Sequence, residues 1–175
     1  GTGFLYVRKT LLETLVPPFL DLNSATWVTR DDYEIRTDAR RFECWEAHIA
    51  GRLGLGAAVD YALSLGIERI WSRIKALAGL LRTSLSSIPG VSVHDLGRTR
   101  CGIVTFTVAG REPQEVCRFL RSRRINVSFS PASSTLLDMS RRGLAGLVRA
   151  SVHCYNTEEE VDRFCEAVEK IASTR

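Results

Sequence analysis

Apolar residues recur along this chain with two different periods, and the change from one to the other marks its organisation. Ile67, Ile70, Trp71, Ile74, Leu77, Ala78, Leu81, Leu85 and Ile88 keep the three-and-four spacing of a buried stripe, which predicts a helix ended by Pro89-Gly90. Before it, Leu53, Leu55, Ala57, Ala58, Tyr61, Ala62 and Leu65 predict another helix, running from about Glu43 to a stop at Gly66. After Gly90 the period falls to two. Val91 to Val93 reads as an edge strand; Ile103 to Val108 puts Val104, Phe106 and Val108 on one face and Thr105 and Thr107 on the other. Ile125, Val127 and Phe129 alternate with Asn126, Ser128 and Ser130, and Val148, Ala150 and Val152 alternate with Arg149, Ser151 and His153.

Helices separate these strands. Pro113 opens one whose stripe is Val116, Phe119 and Leu120; Thr157 and Glu160 form a capping box for the last, with stripe Val161, Phe164, Cys165, Val168 and Ile171. This order predicts an α/β sandwich, a small sheet covered by helices. Nearer the start, Phe4 to Val7 reads as a strand and Arg8 to Leu15 as a short helix halted by Pro17-Pro18. Residues Phe19 to Arg40 have no sustained period and read as a long loop, as does the polar stretch from Pro131 to about Arg142. Opening on a strand-like run with no turn before it is what a cut inside a larger polypeptide would leave.

Composition narrows the function classes. A chain of 175 residues, 45% hydrophobic and 25% charged, can bury a real core. Its formal charge of +4 comes from arginines spread along the chain, with no basic run interleaved with aromatics, so nucleic acid is not an expected partner. The basicity reads as a mild solubility term or as attraction for a small anionic substrate. The cysteines, Cys44, Cys101, Cys117, Cys154 and Cys165, have no zinc-type spacing with His48, His94 or His153; a reduced, cytoplasmic protein without bound metal is expected. No apolar run is long enough to span a bilayer, so no membrane is expected as a partner.

Candidate chemistry is sparse. Arg149 places a fork of donors opposite three apolar residues, able to grip a carboxylate in two parallel bonds; an arginine on an open sheet face is equally a solvated charge. His153 shares that face by alternation and reads as either a proton-transfer group or a structural residue. Cys154 and Cys165 read as core residues rather than nucleophiles. The hydroxyl-rich run from Ser128 to Thr135 suits a phosphate or a polar substrate, and also an ordinary surface loop. Arg40 to Glu46 offers charge and an aromatic wall at a helix entry, or simply a helix start.

Taken together, several segments resemble one family. Gly1-Thr2-Gly3-Phe4-Leu5-Tyr6-Val7 resembles the glycine-rich turn and strand after the cofactor lysine of class V aminotransferases and cysteine desulfurases. Arg41-Phe42-Glu43 resembles the opening of their long interdomain helix, Leu53 to Ala58 its small-residue run, and Val148-Arg149-Ala150-Ser151-Val152-His153-Cys154-Tyr155-Asn156-Thr157-Glu158-Glu159-Glu160-Val161-Asp162 their closing signature. The resemblance implies the C-terminal part of a fold-type I enzyme dependent on pyridoxal 5'-phosphate (PLP). Residues 1–42 would be the tail of the large PLP-binding domain, 43–89 interdomain helices, and 90–175 the small α/β domain.

By the same resemblance Arg149 binds the substrate α-carboxylate, with Ser128 beside it where the family often has an arginine, and Gly1 and Thr2 lie at the cofactor. The implied substrate is an amino acid and the implied assembly a homodimer. Two departures stand out. The Ser128–Thr135 loop lacks the cysteine that desulfurases carry there, and Cys44-Trp45-Glu46 replaces the Gly-Thr pair that reaches the partner subunit's cofactor phosphate. These point to epimerase-like, lyase-like or aminotransferase-like members. The lysines are Lys9, Lys75 and Lys170, all in helical contexts, so the Schiff-base lysine is absent and the chain alone is expected to be inactive. Two other readings stand beside this one: a noncatalytic α/β binding or assembly module, and a small anion-binding domain using the serine-rich loop and Arg149.

Overall fold

A computed structural model describes residues 2–174. The chain divides into two compact units, Gly1–Ser64 and Leu65–Arg175.

The second unit is the α/β sandwich that the alternation predicts. Four strands, β3 (Val91–Val93), β4 (Ile103–Val108), β5 (Ser128–Pro131) and β6 (Gly146–Ser151), form a sheet of order β3-β4-β6-β5, antiparallel throughout. Helices α2 (Ile67–Ser87), α3 (Pro113–Ser122) and α5 (Glu158–Ser173) pack on one face only. Their stripes, led by Leu77, Leu81, Leu85, Leu120 and Val168, close over Val104, Phe106 and Val148, and Phe164 meets Phe106 edge-on at 5.9 Å. Removing such side chains from water contributes roughly 1.5–3 kcal/mol each, which holds this layer together. Gly66, at φ +88°, separates α2 from the helix before it. At Gly102 a Cβ would lie 2.7 Å from the Val152 carbonyl and 2.8 Å from Ile74, so the entry to β4 admits only glycine. The capping box of α5 forms as expected: Glu160 N–H donates to the Thr157 hydroxyl, and the Thr157 amide to the Glu160 carboxylate.

Three strand and loop expectations need correction here. Ile125 and Val127 do pack half-buried on the core, but Arg124, at φ +61°, turns the chain out of α3 and pairing with β6 begins only at Ser128. The polar stretch after Pro131 is a 3-10 turn (Ala132–Thr135) followed by α4 (Leu136–Arg141), whose Met139 is buried. The final strand stops at Ser151, so Cys154 sits half-buried in a turn and does not point into the core by alternation.

In the first unit the long loop expected from Phe19 to Arg40 contains a hairpin, β1 (Ala25–Trp27) against β2 (Tyr33–Ile35), with Trp27 opposite Tyr33, and then a 3-10 turn over Ala39–Phe42. Three-residue strands are too short to show a period. Phe4 to Val7 forms no strand among the described residues, because a strand exists only with a partner; Phe4, Leu5 and Tyr6 are exposed. Arg8 to Leu15 is reduced to a 3-10 turn at Lys9–Leu11. Helix α1 (Ile49–Leu65) begins six residues later than Glu43, since Glu43 is extended and the Trp45 amide donates to Asp21 at 2.6 Å. No residue of α1 is buried, and Leu53 is 72% exposed. Among the described residues no helix is long and apolar enough to cross a membrane.

Candidate functional site

The face of the sheet turned away from α2, α3 and α5 carries the polar half of each strand. Cross-strand register sets Ser128, Arg149 and Thr105 in one row over β5, β6 and β4, and places Ser130 beside Leu147. The two residues expected at the substrate carboxylate, Arg149 and Ser128, are therefore direct neighbours, a pairing that follows from register and not from spacing along the chain. On this face a cleft of about 430 Å³ opens beside Arg149, with Ser130 rather than Ser128 in its wall. Leu96, Ile103, Met139 and Leu147 give the cleft an apolar lining.

Its charged side chains other than Arg149 are each paired with an opposite charge. Asp95 takes Arg82 Nε at 2.5 Å, the Thr105 amide at 2.6 Å and the Thr105 hydroxyl at 2.8 Å. Arg82 also donates to the carbonyls of Cys101 and Ile103, at 2.7 and 3.1 Å. Burial alone would raise the pKa of Asp95; the Thr105 amide, the Arg82 guanidinium and the Thr105 hydroxyl outweigh it and hold the carboxyl below its ordinary value. Arg142 pairs with Asp138 at 3.0 Å, one helical turn back, and donates to the His94 carbonyl at 2.6 Å. Among the described residues, Arg149 is exposed and makes no side-chain hydrogen bond or ion pair. An unpaired guanidinium fork beside a cleft can donate two parallel hydrogen bonds to a planar carboxylate.

His94 joins the same cleft through Nε2, 2.8 Å from the Thr107 hydroxyl. Burial, and then the Arg142 guanidinium, lower its pKa from 6.5 against a smaller opposite pull from Asp95. The ring is therefore neutral at pH 7, and an NMR titration should give His94 a midpoint below 6.5. A midpoint at or above that value would mean that burial and Arg142 do not outweigh Asp95.

The remaining candidates lie elsewhere. His153 does not line the cleft: it is exposed, stacks on Tyr155 at 4.6 Å and has Cys154 Sγ 3.3 Å from Nδ1. Burial pushes the Cys165 thiol up to about 11, with Asp162 adding to the rise, so it stays protonated and inert. In the first unit Arg41 is buried and donates to the Leu12 carbonyl at 2.5 Å, while its Nε has no partner among the described residues. Phe42, Glu43 and Glu46 help line a separate cavity of about 640 Å³ with Phe4 and Leu5. Thr2 is exposed, its hydroxyl close to where a Cβ on Gly51 would stand; Gly1 lies outside the described residues. Asp95, His94 and Arg142 were not legible as site residues. The only signal was the four-residue spacing of Asp138 and Arg142, inside a stretch that reads as loop.

A family model described as aminotransferase class-V matches residues 1–164. A probable cysteine desulfurase of Methanothermobacter thermautotrophicus is 31% identical, over 98% of this chain and 44% of that protein. One from Mycolicibacterium paratuberculosis is 36% identical, over 98% of this chain and 25% of that protein. Among solved structures, the apo cysteine desulfurase of Thermococcus onnurineus NA1 matches with a TM-score of 0.82 at 29% identity, over 95% of this chain and 42% of that one. The chain thus spans less than half the length of these relatives.

Proposed function

The chain belongs to the aminotransferase class-V family, and on that premise we propose that it forms the carboxylate-binding part of a PLP-dependent enzyme acting on an amino acid. The observation that carries this reading is the unpaired Arg149 guanidinium on the open sheet face, beside a cleft that is otherwise charge-matched. In this reading residues 1–42 belong to the large PLP-binding domain, 43–89 lead between domains, and 90–175 are the small domain. The relatives named as cysteine desulfurases support chemistry at a carbon–sulfur bond, and the family's description supports aminotransfer; epimerisation stands as the third reading, implied by the motif resemblance alone.

Bound PLP supplies an electron sink for the bonds at the α-carbon. What this chain adds is orientation. Arg149 grips the α-carboxylate in two bonds, Ser128 stands next to it in register, and pairing of β6 with β4 and β5 fixes the backbone from which the arginine projects, so the two-bond grip orients the α-carbon. The chain's residues fit that half of the site and not the covalent half. Lys9 is in a 3-10 turn, Lys75 in α2 and Lys170 in α5, and none of them lines the cleft. The chain by itself is therefore inactive in this reading. Thr2, with Gly1, is proposed at the cofactor, and a homodimer is proposed as the assembly, supported by the apolar side chains that α1 leaves exposed.

Borohydride reduction of the full-length protein loaded with PLP, followed by peptide mapping, tests this. A pyridoxyl group on a lysine other than Lys9, Lys75 and Lys170 is the expected result. Attachment to one of those three, or no attachment at all, would overturn the proposal.

A further inference from the structure

We infer that Arg142 is a positioning residue: it fastens α4 to the strand row that carries Arg149, and so sets the wall that meets the part of the substrate beyond its carboxylate. The inference rests on the reading of Arg149 as the carboxylate clamp. Residues 132–145 leave the sheet between β5 and β6 and supply Thr135, Asp138, Met139 and Arg142 to the lining of the cleft.

Little else holds this excursion in place. The Ala132 amide donates to the Ala145 carbonyl at 3.0 Å and closes its base. Within it, α4 has six residues, too few to persist by themselves in water. Met139 is buried, but an unbranched thioether packs in several orientations and fixes none. The ion pair of Arg142 with Asp138 spans one helical turn, so it ties the excursion only to itself. Apart from its two roots in β5 and β6, one hydrogen bond among the described residues joins the excursion to the rest of the fold: Arg142 donates to the His94 carbonyl at 2.6 Å.

That carbonyl is firmly held. The His94 amide donates to the Thr105 carbonyl at 2.8 Å, and its ring Nε2 lies 2.8 Å from the Thr107 hydroxyl. The next residue, Asp95, accepts from both the amide and the hydroxyl of Thr105. Thr105 stands opposite Arg149 across β4 and β6. Clamp and wall are thus both referenced to Thr105, the clamp through strand pairing and the wall through His94 and Arg142.

Titration calorimetry on the full-length protein with propanoate and hexanoate, neither of which can react, tests this in wild type, Arg142→Met, Arg142→Lys and Arg149→Gln, alongside hydrogen exchange of the α4 amides. Both probes offer a carboxylate to Arg149, and only hexanoate has a chain long enough to lie against the wall. In R142M the α4 amides should exchange at least about tenfold faster, as loss of one charge-assisted bond allows, with those of β4 unchanged. Hexanoate should bind severalfold more weakly and propanoate as before, a split that a general loss of stability would not produce. R142K keeps a charged donor and should recover most of both effects, and R149Q should lose both probes. Unchanged α4 exchange in R142M, or faster exchange with no selective loss of hexanoate, would overturn the inference and leave the clamp standing. Binding indifferent to R149Q, or no binding of either probe to wild type, would overturn the clamp and the inference with it.

Discussion

Arg149→Gln should lower kcat/KM of the full-length enzyme for its amino acid by about 100- to 10,000-fold while leaving thermal stability unchanged. The size follows from two charge-assisted hydrogen bonds, each about 1.5–3 kcal/mol, lost from both the bound substrate and the transition state. Arg149→Lys keeps the charge without the fork and should recover only part of the loss, because an ammonium cannot match a carboxylate in two parallel bonds. Stability should not move: Arg149 is exposed and, among the described residues, carries no ion pair whose partner would be stranded. A glutamine variant with wild-type kcat/KM, or one that unfolds, would show that Arg149 serves the fold rather than the substrate.

The second large effect is on stability. Asp95→Ala should cost about 3–5 kcal/mol in chemical denaturation, the loss expected when one partner of a buried ion pair is removed. The side chains of Arg82 and Asp95 are only 12% and 7% exposed, and Asp95 also takes the Thr105 amide. Its removal leaves a desolvated guanidinium and an unsatisfied N–H on β4, next to Arg149 in the sheet. Replacing both partners with leucine should cost less than D95A alone, since a matched apolar pair strands no charge. The pH dependence has a definite sign. Because the folded carboxyl titrates below the ordinary 3.8, its contribution is complete above that pH and is lost as the pH falls through the lower folded value. Wild type should therefore lose more stability than D95A in that acid interval; parallel profiles would mean that Asp95 is not held ionised by its partners.

Periodicity along the chain was enough to determine the helices α2, α3 and α5, the strand β4, and the side of β6 on which Arg149 stands. Each of these buries one face, and burial of one face imposes a period of 3.6 or 2 on the residues themselves. The capping box at Thr157 was legible for a similar reason: its bonds close within four residues. Resemblance of short motifs also determined the family, because those motifs recur in order along nearly the whole chain. Tertiary structure alone decided what those signals could not carry. The hairpin of β1 and β2 is made of strands too short to show a period, and the late start of α1 and the placement of α4 go with partners distant in sequence, such as Asp21 for the Trp45 amide and the His94 carbonyl for Arg142. The site shows the same division. Arg149 was visible because a strand has two faces, whereas Asp95, Arg142 and His94 reach its cleft only after β3, α4 and β6 are brought together. Contacts made across the fold leave no periodic trace in the chain, and so the pairing of Arg82 with Asp95 and the bond from Arg142 to the His94 carbonyl exist only in three dimensions.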